Sequence, residues 1–184
     1  MNIYVTVLSS FIMVEEPAYE IVRTIGRAEV RRYGALTIAR VDESKGDTDG
    51  FNILFNYISG RNRQSKKVPM TAPVLSESIE MTAPVLSDAS SIAFILPSNY
   101  TAETAPIPAD PRVKILTIPP RVIAVLRFSG RWSEGAFSKK SKELLDEVAK
   151  AALVTKGSVF SMLYNPPFTP WFIRRNEVGV ELVS

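Results

Sequence analysis

Residues 70–86 read Met70-Thr71-Ala72-Pro73-Val74-Leu75-Ser76-Glu77-Ser78-Ile79-Glu80-Met81-Thr82-Ala83-Pro84-Val85-Leu86, so the hexapeptide MTAPVL occurs twice, eleven residues apart. Proline fixes its own φ, lacks a donor and pushes the preceding residue into an extended conformation. Each copy is therefore an extended segment ending in a proline, neither a helix interior nor a central strand across that proline. The simplest arrangement is two strand ends flanking a tight turn through Ser76-Glu77-Ser78.

Working back from this stretch, Arg61–Lys67 is a basic loop. Before it, Phe51, Leu54, Phe55 and Ile58 fall at i, i+3, i+4 and i+7, one face of a helix. Asp49 can cap its start and Gly60 can end it. Earlier still, Tyr19–Ile25 and Glu29–Val41 are rich in β-formers, with Gly26 and Gly34 marking a turn and a bend. Forward of the repeat, Ile92–Leu96 is a short strand closed by Pro97. The four prolines from Pro97 to Pro111, both included, predict an ordered linker rather than a helix.

The second half repeats the first. Arg112–Ile118 and Arg121–Phe128 read as strands. Ser133 caps a predicted helix running to about Ala152, with an apolar face of Phe137, Leu144, Leu145, Val148 and Ala152. Lys139 with Glu143, and Lys142 with Asp146, have i,i+4 spacing on its outer face. The chain closes with strands at Ser158–Tyr164 and Glu177–Val183, joined by a loop rich in proline and aromatics. A shift of about 86 residues aligns Val30 with Leu116, Ile38 with Ala124, Phe51 with Phe137 and Ile58 with Leu144. The predicted fold class is α+β: a pseudo-twofold β-β-α-β repeat forming an antiparallel, distorted barrel-like sheet with two helices packed on one face. The expected organisation is an apolar N-terminal extension, 1–14, and a single domain, 15–184, made of repeats at about 16–96 and 110–184.

The chain has 184 residues, 46% hydrophobic and 22% charged, as in ordinary globular domains. It contains no cysteine and no histidine. That excludes disulfides, zinc sites of the Cys/His kind, Ser-His-Asp and Cys-His catalysis, and a His or Cys axial ligand to a haem iron. The net charge of +3 comes with no groove-reading motif, so no nucleic-acid partner is expected. Met1–Val14 is apolar but lacks a positive n-region, and it falls short of the ~20 residues a spanning helix needs. Met13, just ahead of Glu15-Glu16-Pro17, is an alternative start. The expectation is a soluble, cytoplasmic protein with no membrane partner and an unassigned oligomeric state.

Phe51, Phe55 and Ile58 on the first helix, facing Tyr164, Phe168, Trp171 and Phe172 of the last loop, can form an apolar cleft. Arg61, Arg63, Lys66, Lys67, Arg174 and Arg175 can rim it. Core packing for the helix residues, a plug over the sheet for the loop aromatics and solvated surface for the cations are the competing roles.

The sequence resembles the SOUL haem-binding protein family. The resemblance is carried by Tyr19-Glu20-Ile21-Val22, Glu29-Val30-Arg31-Arg32-Tyr33, Gly50-Phe51 and Leu54 to Asn62, both MTAPV copies, Phe94-Ile95-Leu96-Pro97, Val125 to Gly130, Tyr164-Asn165-Pro166-Pro167, and Arg174 to Val178. It runs from about Glu16 to Leu182, and the doubled MTAPV is similar to plant and microbial members. The resemblance implies non-enzymatic binding of haem or another tetrapyrrole, as a carrier or buffer, in a groove beside the first helix. The binding residues it implies here are Phe51, Leu54, Phe55, Ile58, Arg61, Phe168, Trp171 and Arg174. The chain departs from the family in having no histidine, and in having Asn56 and Thr169 where animal members carry basic residues. Met70, Met81, Met162, Tyr57 and Tyr164 are the donors left for iron, but packing roles are the stronger expectation for all five, so no metal ligand and no catalytic residue is assigned. A second reading comes from effector-binding domains of similar fold. There a buried carboxylate, here Glu177, would bind organic cations or act as a general base with a raised pKa. A salt bridge from Glu177 to Arg174 or Arg175 is its structural alternative.

Overall fold

A computed structural model of the chain describes residues 15–43, 49–79, 89–165 and 168–183. The N-terminal extension and the second MTAPV copy lie outside the described residues. The strands are β1 (Tyr19–Ile25), β2 (Ala28–Tyr33), β3 (Leu36–Glu43), β4 (Val74–Ile79), β5 (Ala89–Ile95), β6 (Lys114–Ile118), β7 (Arg121–Phe128), β8 (Thr155–Leu163) and β9 (Asn176–Leu182). Helix α1 (Gly50–Ile58) follows β3 and helix α2 (Glu134–Lys150) follows β7. The strands form one antiparallel sheet in the order β1-β2-β7-β9-β8-β4-β5-β3-β6. It is open, with β1 and β6 at its edges, and is not closed into a barrel.

A pseudo-twofold axis passes between β8 and β4, relating β8 to β4, β9 to β5, β7 to β3 and β2 to β6. Each repeat is thus β-β-α-β-β, one strand more than the sequence pattern predicts. The extra strand is β4, which occupies Val74–Ile79 where a tight turn through Ser76-Glu77-Ser78 was expected. Pro73 ends nothing: the strand starts after it and pairs with β5 on one side and β8 on the other. Ahead of it the Ala72–Pro73 peptide is cis, and the Thr71 hydroxyl donates to the carbonyl of Ile95. The first strand of each repeat is exchanged. β2 pairs with β7 and β6 with β3, so each repeat completes the other's sheet.

Cross-strand partners share a face. Ser161 pairs with both Ser76 and Val178, so Val74, two residues from Ser76, lies on the same face as Val178. Val74 packs in the α1 core and Val178 in the α2 core, which puts both helices on one face as predicted. Under α1 lie Ala39, Val41, Phe94 and Leu96, and under α2 lie Val30, Ala124, Leu126 and Val180. The opposite, helix-free face carries Tyr33, Ile38, Leu75, Ile95, Ile123, Val125, Phe160 and Met162.

Local capping follows the sequence in α2, where Ser133 Oγ accepts from the Ala136 amide at 3.1 Å. In α1 Asp49 makes no side-chain cap; Glu43 instead reaches from β3 to accept from the Gly50 amide at 2.9 Å. Two details of α2 are corrected. Leu145 is exposed, because Leu144 and Val148 already fill the sheet-facing stripe. Glu143 is bonded by Lys140 and by Arg27 from the β1–β2 turn, at i,i+3 and long range rather than i,i+4.

Candidate functional site

The register places Phe94, Val74, Leu163, Asn176 and Phe128 in one row across β5, β4, β8, β9 and β7. With strands ~4.8 Å apart, this row spans about 19 Å. Helix α1 packs on β3 and β5 at one end of the row, and α2 on β7, β8 and β9 at the other. Between them, Val74, Ser76 and Leu163 are only half-buried and floor a furrow along β4.

Helix α1 turns two different flanks outward. Ile53 and Tyr57 face the segment leading into β6, where the Tyr57 hydroxyl donates to the Pro106 carbonyl at 2.8 Å. The opposite flank, towards β5 and β4, carries Phe51 and Phe55. Their rings are stacked, centroids 6.3 Å apart at an interplanar angle of 8°. Phe51 also meets Phe94 edge-on at 5.3 Å. These two large rings remain 39% and 48% exposed, which makes them an apolar wall of the furrow rather than core.

The other residues expected at the site separate into three groups. Leu54 and Ile58 are buried beneath α1, since the helix seats that stripe on β3 and β5. Arg61 is exposed and lines a cavity of about 330 Å³ with Ile53, Asn56, Tyr57, Asp110 and Arg112, on the flank away from Phe51 and Phe55. The basic loop is pinned to that outer flank. Arg63 N donates to Ile107 O, Lys66 lies over the Tyr100 ring, and the buried Asn62 side chain bonds Tyr57 O, Lys66 O and Lys66 N. Phe168 and Trp171 belong to an exposed tip, where Trp171–Ile173 forms a 3-10 turn. Arg174 Nε donates to the Thr169 carbonyl at 2.7 Å, which ties its guanidinium into the loop.

The helix-free face holds a feature that strand patterning alone did not reveal. Glu177 is fully buried and accepts from Arg31 Nη1 at 2.8 Å, Arg31 Nη2 at 3.2 Å, Arg175 Nε at 3.0 Å and the Tyr164 hydroxyl at 2.8 Å. Arg31 is itself 3% exposed and comes from β2, 146 residues away. Burial pushes the Glu177 carboxyl upward, but Arg31, Arg175 and Tyr164 outweigh it and hold it below the usual glutamate range. Of the two roles considered for Glu177, a general base with a raised pKa and a salt bridge to arginine, the geometry is that of the salt bridge: Glu177 is an ionised, fully bonded anchor. Of the two arginines considered for it, Arg175 is bonded to Glu177. Burial and the Glu177 charge push the Tyr164 phenol well above its ordinary value.

The donor set for iron is correspondingly thin. Tyr57 gives its proton to Pro106 and burial pushes its pKa up to about 12; Tyr164 gives its proton to Glu177. Met162 is buried on the helix-free face and Met81 lies outside the described residues. Met70, at 40% exposure, is the accessible member of the set among the described residues.

An open antiparallel sheet with two helices on one face defines an α+β class of domain. A family model described as SOUL heme-binding protein matches residues 14–181, and the chain belongs to that family. Heme-binding protein 2 of Mus musculus is 28% identical over 174 residues, covering 85% of this chain and 82% of the mouse protein. Two solved structures are similar. The C-terminal domain of EcmrR has a TM-score of 0.62 at 9% identity, covering 90% of this chain and 98% of that one. A hydrolase from Listeria innocua has a TM-score of 0.58 at 11% identity, covering 88% and 94%. At these identities the likeness is one of fold.

Proposed function

We propose that this chain binds haem or a related tetrapyrrole as a carrier or buffer, without catalysis, and that the macrocycle lies against the stacked Phe51–Phe55 wall over the β4 furrow. The observation that carries the reading is that pair: two parallel aromatic rings left half-exposed beside Phe94, in a member of a family described as heme-binding. Burying about 300 Å² of macrocycle at about 25 cal/mol/Å² contributes roughly 7 kcal/mol before association costs, in keeping with micromolar affinity. No imidazole or thiolate exists in the chain, so iron contributes little unless a methionine such as Met70 or Met81 reaches it. Because Arg61 and the basic loop lie on the other flank of α1, the propionates project towards solvent and affinity depends weakly on salt.

The test is a parallel titration of the protein with ferric haem and with a metal-free porphyrin. Saturable binding of both with similar affinity is expected, and loss of both in Phe51→Glu/Phe55→Glu with an unchanged circular dichroism spectrum. Binding of haem alone, abolished by Met70→Ala, would replace the macrocycle account by iron ligation. Undiminished binding in the folded double variant would refute the site. The double pairing of Glu177 with arginines argues against a cation-binding or hydrolytic role for that carboxylate.

A further inference from the structure

The loop between β8 and β9 and the segment after β7 meet at one end of the sheet. The Gly130 amide donates to Trp171 O at 3.1 Å, and Asn176 Nδ2 donates to Gly130 O at 3.0 Å. The tip they form exposes four large apolar side chains within six residues: Phe168 at 86%, Trp171 at 53%, Phe172 at 62% and Ile173 at 60%. Solvated chains rarely cluster such residues without a partner surface. The tip is held in shape by backbone bonds, including Ile173 N to Pro170 O at 3.1 Å, so the aromatic side chains are presented by an ordered turn.

The segments that meet at this tip are rich in arginine, with Arg175 paired to Glu16 and Glu177. Segments 127–133 and 168–176 contain Arg127, Arg131, Arg174 and Arg175 and no Asp or Glu. Arg127 and Arg131 are exposed, and among the described residues neither has an ion-pair partner. Two copies of the chain placed tip to tip about a twofold axis would set arginine against arginine, which disfavours a homodimer here. Trp, Phe and Ile on a turn close to the exposed Arg127 and Arg131 match instead the chemistry of a lipid–water interface with anionic headgroups.

We propose that the Phe168–Ile173 tip is a docking surface for anionic lipid bilayers, with Trp171 and Phe172 entering the headgroup region and Arg127 and Arg131 contacting lipid phosphates. The expectation of no membrane partner, drawn from the lack of a spanning segment, did not address this kind of surface contact. The same end of the sheet carries the Phe94–Val74–Leu163–Asn176–Phe128 row, so docking would bring the furrow between the helices close to the bilayer. The proposal stands on exposure and charge and does not require that the furrow hold a tetrapyrrole.

The experiment uses the ligand-free full chain and sedimentation with vesicles of neutral phosphatidylcholine or of phosphatidylcholine with 30% phosphatidylglycerol. Tryptophan emission is the second readout, since Trp132 and Trp171 are the two tryptophans and Trp132 packs on Phe137. Expected are binding to the anionic vesicles, a blue shift of emission that Trp171→Phe abolishes, and weakening by added salt. Trp171→Ser/Phe172→Ser should lower the partition coefficient at least tenfold, and each of Arg127→Glu and Arg131→Glu roughly fivefold or more, with circular dichroism spectra unaltered. Absence of binding to anionic vesicles, or binding undiminished in these variants, would overturn the proposal. So would a concentration-dependent dimer in solution that Trp171→Ser/Phe172→Ser dissociates, since the tip would then be an interface between copies.

Discussion

Glu177→Gln removes one charge from the helix-free face and leaves the shape of the side chain nearly intact. In the wild type, one carboxylate compensates two guanidiniums, Arg31 at 3% and Arg175 at 18% exposure. Neutralising it leaves Arg31 buried with a glutamine amide facing it. Removing one member of a buried pair costs about 3–5 kcal/mol. Arg31 keeps Glu29 at 2.7 Å and Arg175 keeps Glu16 at 2.9 Å, both partly exposed carboxylates, so the lower end applies, about 3 kcal/mol. In a domain of this size that corresponds to a Tm lower by roughly 6–12 °C. Urea unfolding and differential scanning calorimetry measure it. Because the folded carboxyl titrates below its ordinary 4.5, its contribution is complete above that value and is lost as pH falls through the lower folded pKa. Wild type should therefore lose stability below about pH 4.5 more steeply than Glu177→Gln, and the two should converge in acid. Arg31→Met/Glu177→Gln should recover more than half of the loss, as a favourable coupling in the double-mutant cycle. A Glu177→Gln protein within 1 kcal/mol of wild type, or strict additivity in the cycle, would refute the account of Glu177 as the charge anchor of this face.

Adjacent residues of α1 should behave oppositely. Leu54→Ala, at 0% exposure, should cost about 2–5 kcal/mol in urea unfolding, whereas Phe55→Ala should cost under about 1 kcal/mol and instead weaken porphyrin binding. Asn62→Ala should destabilise by about 1–3 kcal/mol, because the Tyr57 and Lys66 carbonyls and the Lys66 amide lose their shared partner; faster amide exchange at Lys66 and Val68 would locate the effect.

The repeat was legible because hydrophobic periodicity is local. The 86-residue shift that aligns Val30 with Leu116 and Ile38 with Ala124 pairs β2 with β6 and β3 with β7, which the axis in the sheet also relates. Turn chemistry misled the reading of Ser76-Glu77-Ser78. Three small or polar residues after a proline look like a turn, but Ser76 sits in a strand flanked on both sides, its partners being Ile92 and Ser161. The exchange of first strands was invisible because register between repeats is set by contacts more than seventy residues apart. Arg31 was hidden for the same reason. In Glu29-Val30-Arg31-Arg32-Tyr33 the two arginines point to opposite faces of the strand, and only the distant Glu177 makes the burial of Arg31 favourable. At the candidate site, helical periodicity correctly grouped Phe51, Leu54, Phe55 and Ile58. It does not say that Leu54 and Ile58 would be buried on the sheet while Phe51 and Phe55 stay partly exposed.

The pseudo-twofold also shows how a symmetric scaffold becomes asymmetric. Leu75 and Met162 pair across the axis; Leu75 pairs onward with Ala93 of β5, and Met162 with Glu177 of β9. Ala93 and Glu177 are therefore equivalent positions on the helix-free face. Around Glu177 that face is filled by Arg31, Arg175, Tyr164 and Tyr33, the first three bonded directly to the carboxylate. Around Ala93 it is hollow, a groove of about 290 Å³ lined by Ile38, Arg40, Leu75, Ser91 and Leu116 among others. A methyl group has no charge to neutralise and draws nothing over it, whereas a buried carboxylate must gather donors or not be buried at all. One residue difference between equivalent strands thus decides which half of this face is closed, and it leaves the furrow between the helices, walled by Phe51 and Phe55, as the apolar surface related by no such compensation.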